Sequence, residues 1–178
     1  MHRFNIEQGR YVILGSVDGL LATLGIIIGV SMVSATNSIV VSAGLGGAIA
    51  LALTNALGSY LAESTIEHGK LVRKERSLLR KLRNTYVASE SRKKIVKDAV
   101  TSGGASFLAS LIPLAPWILS AGSVIVSVAL SLVALVGLGV FAGLISHQSY
   151  TISVAKMVGL GMLIVVATQL LRIGHWLK

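Results

Sequence analysis

Five long apolar runs, separated by short or polar connections, dominate this sequence. Each run reaches the roughly 20 residues that an α-helix needs to cross the hydrocarbon core of a bilayer. A soluble fold of 178 residues, 53% of them hydrophobic and 13% charged, could not bury this much apolar surface. We therefore predict an all-α, polytopic membrane protein that forms a single domain over residues 1–178. The predicted transmembrane helices cover residues 11–33, 39–62, 99–119, 123–145 and 152–171.

The long polar stretch, residues 63–98, carries eleven of the 16 Lys and Arg residues. Its apolar positions recur at helical spacing, so we expect the second helix to extend into the cytoplasm and to break over residues 84–91. Because cytoplasmic loops are enriched in Lys and Arg, we expect the N-terminus to be cytoplasmic and the C-terminus outside. We interpret this basic segment mainly as the orientation signal, and we expect no nucleic acid as a partner. Binding of anionic lipid or of nucleic acid is the alternative interpretation.

Several polar residues fall at membrane depth. Asp18 and Asn55 each lie seven residues from the cytoplasmic end of their run, roughly 10 Å deep, so antiparallel neighbours place them at one level. Asn55, Ser59, Glu63 and Glu67 are spaced four apart and share one helix face. Such oxygens suit a divalent cation, and a carboxylate at depth also suits a proton. The alternative is an interhelical hydrogen-bond network.

Helix contact and catalysis are each addressed by one further feature of the sequence. Close helix contact in membranes is indicated by two glycine pairs four residues apart, Gly15–Gly19 and Gly25–Gly29. The chain has no cysteine, and it lacks a phosphate-binding loop, a zinc motif and a nucleophile–base set. We therefore expect that the protein is not an enzyme, has no catalytic residue and binds no permanent cofactor.

Two segments resemble the vacuolar iron transporter family. Residues 11–20, which end in Asp18-Gly-Leu, resemble the opening of the family's first helix, where an Asp-Gly-Leu motif occurs. Residues 54–61 resemble the second-helix motif Ser-Met-Ala-x-Gly-Glu-Tyr. In this motif Asn55 stands where the family has Met, and Ser59 stands where it has Glu.

The third helix is also similar to the family's, around Ser106-Phe107 and Pro113-Leu114. The resemblance implies a homodimer in the cell membrane, with a path between protomers for Fe²⁺ or a similar divalent ion such as Mn²⁺, exchanged for protons. Asp18 carries over directly, and Glu63 is the candidate substitute for the missing Glu. The alternative is a non-transporting scaffold protein with a structural, regulatory or lipid-interacting role, which the altered second motif favours.

Overall fold

A computed structural model describes residues 6–33, 36–78, 86–119, 122–146 and 149–176. These residues form five α-helices, and each has a stretch that is long and apolar enough to cross a membrane. The expectation of an all-helical protein with five transmembrane helices is therefore confirmed. The helices are α1 (Ile6–Ser31), α2 (Asn37–Leu78), α3 (Tyr86–Ile118), α4 (Val124–Ser146) and α5 (Tyr150–Trp176).

Two helices are longer than a bilayer is thick. α2 has 42 residues and is therefore about 63 Å long, roughly twice the thickness of the hydrocarbon core. As expected, α2 continues beyond its apolar run, and α3, with 33 residues, extends beyond the membrane on the same side. We call this side, which carries Lys70 on α2 and Lys97 on α3, the basic end.

The predicted break over residues 84–91 is wrong from Tyr86 onward, because α3 already begins at that residue. Residues 84 and 85 lie outside the described residues. The reason is tertiary: Ala88 and Ile95 on this first part of α3 are both buried. Packing of α3 alongside the extension of α2 thus stabilises a helix in a segment whose polar composition suggested a loop.

α1 and α3 form the centre of the bundle. α2 packs against both of them on one side, and the α4–α5 hairpin packs on the other. Gly15 and Gly19 let α1 approach α3 closely, because a Cβ on either would collide with the backbone carbonyls of Ser102 or Ser106. The predicted helix contact at Gly15 and Gly19 is therefore confirmed.

The faces that point away from this centre are apolar. On α2, every fourth residue of the outward face is a large aliphatic side chain that is more than half exposed: Ile49, Leu53, Leu57 and Leu61. In water such a surface would aggregate, whereas in a bilayer lipid tails cover it at no cost. Toward the end opposite the basic end, the indole nitrogen of Trp117 donates to Ser127 Oγ over 3.0 Å and ties α3 to α4.

Two adjacent glycines of α3 provide a test of this packing. A Cβ at Gly103 would lie 2.6 Å from the carbonyl oxygen of Ala52 and 2.8 Å from Ala56 Cβ, both on α2, whereas a Cβ at Gly104 meets nothing within 4 Å. We expect Gly103→Ala to lower the free energy of unfolding by about 1–3 kcal/mol. The matched Gly104→Ala variant should be neutral or stabilise by up to about 1 kcal/mol. Unfolding in mixed micelles measures both, and equal effects would contradict the close α2–α3 contact.

Candidate functional site

The side-chain amide of Asn55 joins three helices in the membrane-spanning part of the bundle. Its Nδ2 donates to Asp18 Oδ2 of α1 over 2.8 Å and to Ser106 Oγ of α3 over 2.5 Å. Ser106 Oγ in turn donates to the carbonyl oxygen of Gly15 over 2.9 Å. Asp18 and Asn55 therefore lie at one level, as counting residues from the ends of their helices predicted.

A polar stripe on α3 faces this contact, and the sequence interpretation missed its role. Asp98, Ser102, Ser106 and Ser110 follow one another at intervals of four residues, and all four are buried. Ser110 Oγ donates to the carbonyl oxygen of Ser106 over 2.8 Å and to that of Gly19 over 3.2 Å. The regular spacing was visible in the sequence and was the signal that could have revealed the stripe.

Glu63 lies at the next polar contact toward the basic end. Its carboxylate accepts a hydrogen bond from the Tyr11 hydroxyl of α1, and the Glu63 residue is only 7% exposed. The Arg10 guanidinium donates to the same hydroxyl over 3.4 Å and lies 5.2 Å from the centroid of the Tyr11 ring. Asp98, which is 1% exposed, acts electrostatically on this hydroxyl from α3. Glu63 is thus part of the bundle interior, and Tyr11 is a site residue without a sequence signal.

Glu67 forms a third contact, at the basic end. Lys70 Nζ lies 2.7 Å and Lys94 Nζ 3.4 Å from its Oε1. Ser91 Oγ donates to its Oε2 over 3.1 Å. This carboxylate is therefore engaged by two lysine ammonium groups and a serine hydroxyl, and it links α2 to α3 beyond the membrane.

The five predicted site residues are therefore divided among separate contacts. One face of α2 does carry three of them, Asn55, Glu63 and Glu67, and each contacts α1 or α3. Ser59 is half-buried and forms no hydrogen bond with any residue that the structure describes. Within the described ranges, no group of three or more His, Asp or Glu side chains is placed to hold a metal ion. The oxygens available for a cation at depth are those of Asp18, with Asn55 and Ser106 beside it.

Asp18 lies on an open face of α1. Asp18 is exposed in the protomer, and so is Leu14 one turn earlier, with 56% of its surface accessible. Further along the helix, a Cβ at Gly25 or Gly29 would meet nothing within 4 Å. This second glycine pair does not contact another helix within the described chain, unlike Gly15 and Gly19. The open face therefore combines a carboxylate with small residues along one side of a transmembrane helix.

Comparison with known proteins identifies the family. The model of the VIT family matches residues 9–92 and 70–172. The chain belongs to the VIT family. An uncharacterized protein of Methanocaldococcus jannaschii is 34% identical over 164 residues, which are 89% of this chain and 85% of that protein. The family resemblance inferred from the first three helices is therefore confirmed. At the family level, this VIT protein is an integral membrane protein and a metal transporter.

Truncating Asn55 tests its role as a link between helices. We expect Asn55→Ala to lower the free energy of unfolding by about 1–3 kcal/mol, because the Asp18 carboxylate and the Ser106 hydroxyl each lose a hydrogen bond at depth. Thr54→Ala is the matched control, since Thr54 is exposed and, within the described residues, its hydroxyl donates only to the carbonyl oxygen of Ala50 on its own helix. It should change stability by less than about 0.5 kcal/mol. Equal losses in the two variants would show that the bridge contributes nothing to stability.

Proposed function

We propose that this VIT protein is a secondary transporter of Fe²⁺ or Mn²⁺ that exchanges the metal for protons at Asp18. The observation that carries the proposal is the Asp18–Asn55 contact within the spanning helices, on a face of α1 that the protomer leaves open. Ionisable residues at such depth are expensive and usually functional. The divalent ion is the cargo, and the proposal needs no resident cofactor.

Polar side chains on one face of α2 form the route to Asp18 that we propose. Glu67 lies at the basic end, Glu63 is next, and Ser59 and Asn55 follow along the same helix face. A cation that enters at the basic end would first displace Lys70 and Lys94 from Glu67 and would then meet the other oxygens in turn, each about 6 Å from the last along the helix axis. Acidic and polar oxygens of this kind suit Mn²⁺, which is a hard ion, and also bind Fe²⁺, which is borderline between hard and soft.

Asp18 has two tasks in this scheme. Its carboxylate binds the cation, with the amide of Asn55 turned to present its oxygen and Ser106 beside it. Once the cation leaves, an unneutralised carboxylate at this depth is unfavourable, so a proton replaces the metal and is lost again when the next cation arrives. The Asp18 carboxylate thus binds the metal cation and the proton in turn, and this alternation is sufficient to exchange one for the other.

We also propose that a second copy of the chain covers the open face of α1. An exposed carboxylate on a spanning helix is costly in lipid, and the open Gly25 and Gly29 permit close approach of another helix. A two-fold axis along this face would bring two Asp18 carboxylates together. The oxygens available to a cation would double, which compensates for the incomplete donor set of one protomer.

The basic end is proposed to face the cytoplasm, because it carries the excess of Lys and Arg that marks cytoplasmic segments. This orientation places the N-terminus inside and the C-terminus outside. The entry route through Glu67 and Glu63 then begins in the cytoplasm, and transport proceeds outward.

We expect Asp18→Asn to reduce metal flux at least about a hundredfold while the protein stays folded, because the carboxamide can neither neutralise the cation nor carry the proton. Flux of Fe²⁺, Mn²⁺, Co²⁺ and Zn²⁺ into proteoliposomes, with a pH-sensitive dye for protons, measures this. Glu90→Gln is the control, since Glu90 is an exposed carboxylate outside the route, and its flux should stay within about twofold of the wild-type value. Unchanged flux in the Asp18 variant would contradict the proposal.

The alternative function is that of a non-transporting scaffold. It is supported by Ser59 at the position where the family motif has Glu, and by the lack of a ready metal cluster in the described part of the protomer. Wild-type protein that is folded and reconstituted but moves none of the four metals, and no protons, would favour this alternative.

The dimer can be tested with single cysteines, because the chain contains none. We expect Leu14→Cys to cross-link efficiently between protomers in membranes, since Leu14 lies one turn from Asp18 on the open face. Val133→Cys is the control: Val133 is 70% exposed but lies on α4, at the other side of the bundle. A short bismaleimide followed by denaturing electrophoresis reports both. Cross-linking of Val133→Cys in preference to Leu14→Cys would place the interface elsewhere.

A further inference from the structure

We propose that the cavity between the extension of α2 and the first part of α3 is a binding site for a phosphate-bearing anion. The cavity measures about 590 Å³ and lies at the basic end. We call it the lysine cavity, because five lysines from the two helices line it. They are Lys70 and Lys74 of α2 and Lys93, Lys94 and Lys97 of α3.

The charges in the lysine cavity do not balance. Among the residues that the structure describes, two carboxylates line it, those of Glu67 and Glu90. Glu67 is engaged by Lys70 and Lys94. Glu90 accepts a hydrogen bond from the Tyr86 hydroxyl, which raises the pKa of Tyr86. The described part of the lining, with five lysines and two carboxylates, therefore has a net charge of about +3 at neutral pH.

Three lysines are not neutralised by the two carboxylates. Among the residues that the structure describes, Lys74, Lys93 and Lys97 form no ion pair. They approach the cavity from two different helices, so folding brings like charges together. Lys74, Lys93 and Lys97 are exposed, so water and salt screen part of their mutual repulsion, and an anion between them would reduce it further.

A topology signal does not account for this arrangement. The bias toward positive cytoplasmic segments depends on how many Lys and Arg residues a segment has, and not on which helix face carries them. Arg73 and Arg76 satisfy the bias from exposed positions on α2 that do not line the cavity. The convergence of five lysines on one cavity is a tertiary feature and needs a separate explanation.

Phosphate is the anion whose chemistry fits the lysine cavity. Lysine ammonium groups bind phosphate oxygens as point charges, and several oxygens can be bound at once. Ser91 and Tyr86 also line the cavity, but their hydroxyls donate to Glu67 and Glu90, so the lysines are the groups that would bind the anion. The volume is in the range of small-molecule sites, large enough for a lipid headgroup or a soluble polyphosphate.

The position of the cavity admits both of these sources. Lys97 lies two residues before the predicted start of the third span, at the level of lipid headgroups. Tyr86 is eleven residues earlier on α3, so the cavity extends roughly 16 Å from the membrane surface into water. The test therefore has to separate a phospholipid headgroup from a soluble phosphate.

Calorimetric titration of the full-length protein in neutral detergent at 0.15 M salt provides the test. The probes are pyrophosphate, dioctanoyl phosphatidylglycerol and, as the zwitterionic reference, dioctanoyl phosphatidylcholine. We expect Lys74→Gln/Lys93→Gln to weaken binding of the anionic probe by at least about tenfold. The matched control, Arg73→Gln/Arg76→Gln, removes the same charge from the same segment and should change the affinity by less than about twofold.

Each outcome decides the proposal. Binding of pyrophosphate with loss in the lysine variant supports a soluble phosphate ligand, and preference for phosphatidylglycerol over both other probes supports a lipid headgroup. Equal losses of affinity in the lysine and arginine variants would overturn the site, because they would indicate binding to diffuse positive charge alone. Failure of both anionic probes to bind the wild-type protein would also overturn it. Lys74→Arg/Lys93→Arg separates loss of the site from misfolding, since it keeps the charge and should bind within about threefold of wild type.

Discussion

The hydrogen bonds of the Asn55 amide are the interaction on which the centre of this bundle depends. In lipid no water is available to satisfy a polar side chain, so the Asp18 carboxylate and the Ser106 hydroxyl must find partners within the protein. The Asn55 amide on α2 donates a hydrogen bond to each of them, and the Ser106 hydroxyl donates to the backbone of α1. Three helices are thereby fixed at one level, although packing between apolar helices in lipid has no hydrophobic driving force of its own.

Close approach of α1 and α3 makes these hydrogen bonds geometrically possible. Gly15 and Gly19 leave room for the backbone of α3, and the serines of α3 use that proximity to donate to carbonyl oxygens of α1. Small residues and hydroxyl groups thus hold these two helices together, as large apolar side chains do in the core of a soluble protein. The α4–α5 hairpin is connected differently, through aliphatic contacts and the Trp117–Ser127 hydrogen bond.

The same arrangement leaves the protomer chemically incomplete at Asp18. Its carboxylate is satisfied by Asn55 on one side but faces outward on the other, where the helix carries small residues and an exposed Leu14. A polar group at the edge of a spanning helix requires a further partner, whether a second protomer, a cation or a proton. The function that we propose supplies all three.

Most of the fold could be predicted from the sequence, because each apolar run had to be a membrane-spanning helix wherever its neighbours lay. The levels of Asp18 and Asn55 were also predictable, since adjacent antiparallel helices fix depth by counting residues. The roles of Ser106 and Asp98 were not, because they depend on how α3 packs against α1, and these helices are not neighbours in the chain. The contact of Tyr11 with Glu63 was not predictable either, because it depends on which faces of α1 and α2 meet. The start of α3 at Tyr86, the open face of α1 and the convergence of lysines from α2 and α3 were likewise decided by tertiary structure. Each depends on which helix faces meet, and composition and spacing do not specify that.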